Sequence, residues 1–203
     1  SLPVVGANND LLGIVTVDDV IDIMQDEATE DIQKLVGAGY DESIHDKISY
    51  SLGKRHPWLQ VNFLTAFMAA GIIFLFKNQI KQLTLLAVFM PVIASLGGNA
   101  GTQTLAVAIR SMALGEVSSD DQLKLYLRES LKGLINGTVV GIIAAFPVYF
   151  VTHSLGIALI IIISLILNMG LACLLGALIP LLLRKINLDP AQSSSIFLTA
   201  CLT

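Results

Sequence analysis

Charge is scarce in this 203-residue chain. Asp, Glu, Lys and Arg make up 14% of it, 54% is hydrophobic, and mean hydropathy is +0.75. Soluble globular domains carry about a quarter charged residues, so the deficit excludes that class and makes lipid the solvent for most of the chain. Cysteine is rarer still: Cys173 and Cys201 both lie in apolar runs, with no Cys or His at metal-ligand spacing, and read as packing residues. His45, His56 and His153 are dispersed and have no partner at ligand spacing, which makes them structural or interfacial. No Ser-His-Asp or Cys-His arrangement and no phosphate-binding Walker loop is present, so neither an enzyme nor an ATP-driven pump has support. The start, Ser1-Leu-Pro-Val-Val-Gly6, lacks the basic region of a signal peptide. It reads as though cut from within a domain, and the chain is expected to be a fragment at both ends.

The charge that is present is unevenly placed. Residues 1–50 hold eleven Asp and Glu against two Lys, a net −9, and the remainder is +5. An acidic head on a mildly basic membrane body attracts cations and argues against nucleic acid as a partner. A merely solvated acidic surface is the plainer reading of the same composition.

Short β-branched runs at 2–5 and 11–17 flank the turn Gly6-Ala-Asn-Asn-Asp10 and predict a strand pair. A helix is expected from Asp19 to about Val36, capped by Thr16 or Asp18, with Val20, Ile21, Ile23, Met24, Ile32 and Leu35 set against many carboxylates. Residues 40–55 form a polar connector ending in Lys54-Arg55. Residues 58–76 then run nineteen positions without charge, about 28 Å as a helix, enough to cross the hydrocarbon core with Trp58 at one interface. Lys77-Asn-Gln-Ile-Lys81 reads as an exit loop. The second membrane segment extends to about Met112, and at that length it must tilt, break or protrude. Residues 116–132 are charged and form a connector into the third span. From Gly133 to Leu183 no Asp, Glu, Lys or Arg occurs, room for two crossings with a turn at His153-Ser-Leu-Gly156. Asp189-Pro190 opens a further helix.

The expected fold is therefore an all-α polytopic membrane protein with four complete transmembrane helices plus the start of a fifth, behind a short N-terminal α/β remnant. The divisions are 1–18, a cytosolic acidic segment at 19–56, and a transmembrane part at 57–203. Its spans fall at about 57–77, 80–112, 129–152, 155–184 and 189–203, the last cut short. With the acidic head in the cytosol of a cell-membrane protein, Lys54, Arg55, Arg110, Lys124, Arg128, Lys132, Arg184 and Lys185 lie inside, and only Lys77 and Lys81 lie outside.

Within the second span, Pro91-Val-Ile-Ala-Ser-Leu-Gly-Gly-Asn-Ala-Gly-Thr-Gln-Thr-Leu-Ala-Val-Ala-Ile-Arg110 is polar and rich in glycine. Irregular backbone at membrane depth survives only where it is buried in protein or lines a cavity, so this patch is a candidate permeation element. Close helix packing without conduction is the competing account. Asn168, midway along the fourth span, either lines a polar path or hydrogen-bonds between helices.

Gly13-Ile-Val-Thr-Val-Asp-Asp-Val20 resembles the end of a CBS domain. Followed by the acidic run 21–32, by the 91–110 patch, and by Leu181-Leu-Leu-Arg-Lys-Ile-Asn-Leu-Asp-Pro-Ala191, it makes the chain resemble the MgtE family of magnesium channels over nearly its whole length. The resemblance implies a homodimer in membrane lipid with five spans per subunit. It implies an ion path at the dimer axis between the second and fifth spans, and a cytosolic connecting helix that plugs the path when magnesium is bound. On that likeness, Asp19, Asp22, Glu27, Glu30 and Asp31 match regulatory Mg2+ positions. Asn99 matches the pore asparagine, with Gly97, Gly98 and Gly101 beside it. Ser195 and Thr199 fall at further pore positions, and the family's pore aspartate is either replaced by Thr203 or lies just past it. The implied function is passive Mg2+ uptake, with Mg2+ as both substrate and regulator. A transporter of Co2+ or Mn2+ and a non-conducting membrane Mg2+ sensor are the alternatives.

Overall fold

A computed structural model describes residues 1–35, 42–82, 84–117, 122–187 and Leu198, with backbone alone at 27–28, 31, 81–82 and 84–86. It begins with an antiparallel pair, β1 (Leu2–Val5) and β2 (Leu11–Val15), in the register Leu2↔Val15 and Val4↔Gly13, with an irregularity after Val4. Asn9 turns the hairpin at φ 65°, a left-handed conformation that Asn tolerates better than most residues. Helix α1 (Val17–Leu35) starts two residues earlier than expected. The cap is Thr16 and not Asp18. Its hydroxyl accepts from the Asp19 amide at 3.3 Å, while the Asp19 carboxylate accepts from the Thr16 amide at 2.7 Å and from its hydroxyl at 2.8 Å. This is a capping box, which satisfies donors at both ends of the first turn.

Five further helices follow: α2 (Ile48–Leu75), α3 (Lys77–Gln82), α4 (Thr84–Ala113), α5 (Gln122–Thr152) and α6 (Leu155–Lys185). Of these, α2, α5, α6 and residues 87–113 of α4 are long and apolar enough to cross a membrane. Each runs well past the roughly 20 residues a crossing needs. Three boundaries differ from the sequence expectation for one reason. A helix that is already nucleated extends into adjoining polar residues with about one added hydrogen bond for each residue ordered. Thus α2 takes in Ile48 to His56 from the supposed connector, α5 starts at Gln122 rather than near 129, and 77–82 is a short helix rather than a loop. Between α5 and α6, His153 adopts φ 49° and Ser154 caps α6 by accepting from the Ile157 amide.

The core of the membrane part is α6, flanked by α4 and α5. Leu165, Ala172 and Ala177 of α6 are fully buried. Helix α5 approaches through Gly133, Gly137 and Gly141, followed by Ala145, a small residue every fourth position. A Cβ on Gly137 would come within 2.7 Å of the Leu165 carbonyl oxygen and 2.8 Å of the Ile166 Cα, so the two backbones are in contact there. Such small-residue seams drive helix association where lipid removes the hydrophobic driving force. By contrast, α2 lies apart from this core, with 6% of its most apolar window buried within the chain.

Candidate functional site

Helix α4 is continuous from Thr84 to Ala113, through Pro91 and all three glycines. The expectation of irregular backbone in the 91–110 patch is therefore corrected. Its carbonyls take part in a helix and are not splayed toward a path. The physical reason is the tight neighbour: Gly97 and Gly101 admit α6 instead of breaking α4, while Gly98 faces open space. A Cβ on Gly176 of α6 would lie 2.5 Å from the Gly101 carbonyl oxygen and 3.1 Å from the Thr104 Cβ. Cys173 donates its thiol to the Ala100 carbonyl oxygen at 3.8 Å. Gly97, Ala100, Gly101, Thr104, Leu105, Ala108 and Ile109 are all buried, and they form one face of α4.

The other face carries the polarity. Ser95, Asn99, Thr102, Gln103, Ala106 and Arg110 are exposed, at the three-to-four-residue spacing of a single helix face. The Thr102 hydroxyl is turned back onto the Gly98 carbonyl at 2.8 Å. Asn99 thus lies on the exposed stripe, Gly98 is half-buried beside it, and Gly97 points to α6. Ser95, Thr102 and Gln103 were missed as candidates, although their spacing from Asn99 was available in the sequence. A row of carboxamide and hydroxyl groups at membrane depth demands water or protein, since lipid offers no hydrogen-bond partner.

Glu129 is a second feature that sequence reasoning missed, because its neighbours made 116–132 look like a solvated connector. It is 6% exposed. Its carboxylate takes the Lys132 ammonium at 2.5 Å and the Thr104 hydroxyl at 3.4 Å, tying α5 to the buried face of α4.

The acidic residues of α1 are less gathered. Asp19 and Asp22 are exposed, Glu30 pairs with Lys34 at 2.6 Å, and among the described residues no three His, Cys, Asp or Glu side chains converge on a metal-sized site. The side chains of Glu27 and Asp31, and the whole of Ser195, Thr199 and Thr203, lie outside the described residues. Asp19 is held below the ordinary carboxylate value of 3.8, first by the Thr16 amide and then by its hydroxyl. A depressed folded pKa contributes fully above the unfolded value and is lost as pH falls through the folded one. The first turn of α1 should therefore be indifferent to pH near neutrality and fray only below about 3.8. Thr16→Ala should reproduce that fraying at neutral pH. Amide exchange in residues 17–20 is expected to speed up roughly fivefold, the scale of a lost cap, and unchanged exchange would show that the box contributes nothing.

At its far end, α1 meets the membrane core. Leu35 packs against the cluster of Leu105 and Ile109 from α4, Ile179 and Leu183 from α6, and Leu198. Glu42 accepts from Arg55 of α2 at 2.6 Å, and its backbone carbonyl accepts from the Gln33 side chain at 3.2 Å. The acidic helix is thereby joined both to the start of α2 and to the Arg110 end of α4.

Four bilayer-length helices, one bearing a polar face, define a multi-pass α-helical membrane protein. A family model described as a divalent cation transporter, MgtE, matches residues 90–202. The chain belongs to the MgtE family. It is 36% identical to the magnesium transporter MgtE of Enterococcus faecalis over 98% of its own length and 44% of that protein's. It is 34% identical to the Bacillus subtilis protein of the same name over 98% of the chain and 44% of the relative, and 34% identical to the Thermus thermophilus one over 96% and 43%. The chain thus spans less than half the length of these curated relatives.

Proposed function

We propose that this chain forms the path for passive Mg2+ uptake across the cell membrane, as a homodimer with α1 in the cytosol. The observation that carries the reading is the exposed stripe Ser95-Asn99-Thr102-Gln103 on a helix otherwise built for a bilayer. Its oxygens are hard donors that suit a magnesium ion retaining several waters. Asn99, between Gly98 and Thr102, is the central ligand of that stripe. Gly97 serves the path indirectly by letting α6 support the helix. Ser195, Thr199 and Thr203 are proposed to complete the path from a fifth span. An inside-negative potential supplies about 2.3 kcal/mol per elementary charge per 100 mV, twice that for a divalent ion. The relatives' printed name, magnesium transporter, supports Mg2+ as the cargo, and the broader family description leaves Mn2+ and Co2+ as the rival substrates.

Regulation is proposed to run through α1. Asp19, Asp22, Glu27, Glu30 and Asp31 repel one another on adjacent turns unless a cation sits among them. Leu35 brings the end of this helix to the Ile109–Leu183 end of α4 and α6, so its order bears directly on the path helix.

Protein reconstituted in liposomes with an internal Mg2+ indicator tests the first part. Mg2+ influx driven by an inside-negative potential is expected, with Asn99→Leu reducing it by about tenfold, the equivalent of one lost ligand contact worth about 1.4 kcal/mol. Equal influx of Mg2+, Mn2+ and Co2+ would move the assignment to a general divalent path, absence of influx in the unaltered protein would favour a non-conducting sensor, and undiminished influx through Asn99→Leu would take the path away from this stripe. Protease protection of residues 19–40 tests the second part. Protection by millimolar Mg2+ is expected, and identical cleavage with and without the ion would defeat the regulatory reading.

A further inference from the structure

We propose that Asn168 of α6 is a positioning residue for the path. Its carboxamide fills the place where residue 97 would carry a side chain, and in doing so fixes the rotation of α4 that presents Asn99 to the stripe. The inference rests on the ion-path reading above. Asn168 is half-buried, and its Oδ1 is fully buried with no hydrogen-bond partner among the described residues. The interhelical hydrogen bond that would account for an asparagine in an apolar helix is therefore absent at that oxygen. What the carboxamide does meet is Gly97: a Cβ there would overlap Oδ1 and lie 2.8 Å from Cγ and 3.2 Å from Nδ2.

Two features separate this contact from ordinary packing. First, a polar group kept at membrane depth without a partner is costly, and leucine would fill nearly the same volume without that cost. Second, the contact that follows it toward the Arg110 end of α4 is made of small residues. Ala100 faces Cys173, and Gly101 faces Gly176. Small side chains allow close approach but offer no projection to stop one helix from turning against the other. Asn168 is the polar projection beside them, set between the apolar contacts of Leu96 with the Leu165 cluster and of Met169 with the Ala100 cluster, and it engages α4 two residues from Asn99.

The test uses Gly97→Ala, Asn168→Ala, the pair of both, and Asn168→Leu, in protein reconstituted as above. Detergent melting and the ratio of Mg2+ to Co2+ flux are both read. Gly97→Ala is expected to lower the melting temperature by on the order of 3 °C through overpacking and to reduce flux. The paired variant should recover most of both, because the new methyl occupies the space the carboxamide leaves. Asn168→Leu should melt no lower than the unaltered protein, yet change the flux ratio by about threefold, as expected if Asn99 is re-aimed while the helix stays bound. A contact that is only structural would move melting and leave the ratio alone. Folded Asn168→Leu with an unaltered rate and ratio, or Gly97→Ala that is not rescued by Asn168→Ala, overturns the proposal. If the unaltered protein carries no cation, the ion-path reading fails first. Conduction by the unaltered protein with indifferent Asn168 variants defeats the positioning role alone.

Discussion

Gly137→Leu is expected to prevent α5 from seating on α6 and to abolish recovery of folded protein. A Cβ at this position meets backbone on both sides, the Leu165 carbonyl oxygen at 2.7 Å and the Ile166 Cα at 2.8 Å. Backbone cannot swing aside as a flexible side chain can, so the helices must separate by the full width of the added group. Overpacking costs about 1–3 kcal/mol in cores that can relax, and this contact sits at or above the upper end. The effect should be graded along the seam. Gly141→Ala, where the nearest atom is the Ile162 Cα at 3.2 Å, should cost far less, and Gly53→Ala or Gly71→Ala, with nothing within 4 Å, should be silent or stabilising. Melting of purified protein in detergent ranks the variants. Equal tolerance at Gly137 and Gly71 would mean that α5 and α6 are not in backbone contact.

Lys132→Met is expected to destabilise the protein more than the double change Lys132→Met with Glu129→Leu. Among the described residues, the single change leaves the buried Glu129 carboxylate with the Thr104 hydroxyl at 3.4 Å alone. The double change removes the charge that needed compensation. Breaking a buried pair typically costs 3–5 kcal/mol, but the Lys132 side chain is 64% exposed and water softens the loss. A destabilisation of about 2 kcal/mol is the discounted expectation. The double variant should recover most of it, since apolar replacements of buried ion pairs are often neutral. A double variant no more stable than Lys132→Met would instead show that the carboxylate needs no compensation in the folded state.

The helical membrane fold was legible because charge-free runs such as 58–76 and 133–183 leave no soluble alternative. The termini of the helices were less so. Hydropathy marks where lipid begins and not where helical hydrogen bonding begins, so the polar residues 48–56 and 122–128 were assigned to connectors although both are helical. The glycines of α4 were read as breaks because composition cannot distinguish a glycine that frees the backbone from one that admits a neighbour, and the neighbour, Gly176, lies 75 positions away. The seam Gly133-Gly137-Gly141-Ala145 was open to inspection by its four-residue period alone. Glu129 was not, since one buried carboxylate among solvated charges has no local signature. Asn99 was singled out by likeness to the family, and its place on an exposed polar stripe came only with the helix rotation.

The near-isolation of α2 bears on how the chain is made. With 6% of its apolar window covered by the rest of the chain, this helix gains little from waiting for the segments that follow it here. Its partition into lipid can be completed as soon as it leaves the ribosome. The opposite holds for α4, whose polar stripe is poorly suited to lipid and whose glycine face waits for α6, which begins some forty residues after α4 ends. Translation therefore passes through a period in which α4 is inserted but unaccompanied, and quality control at the membrane would act on that intermediate.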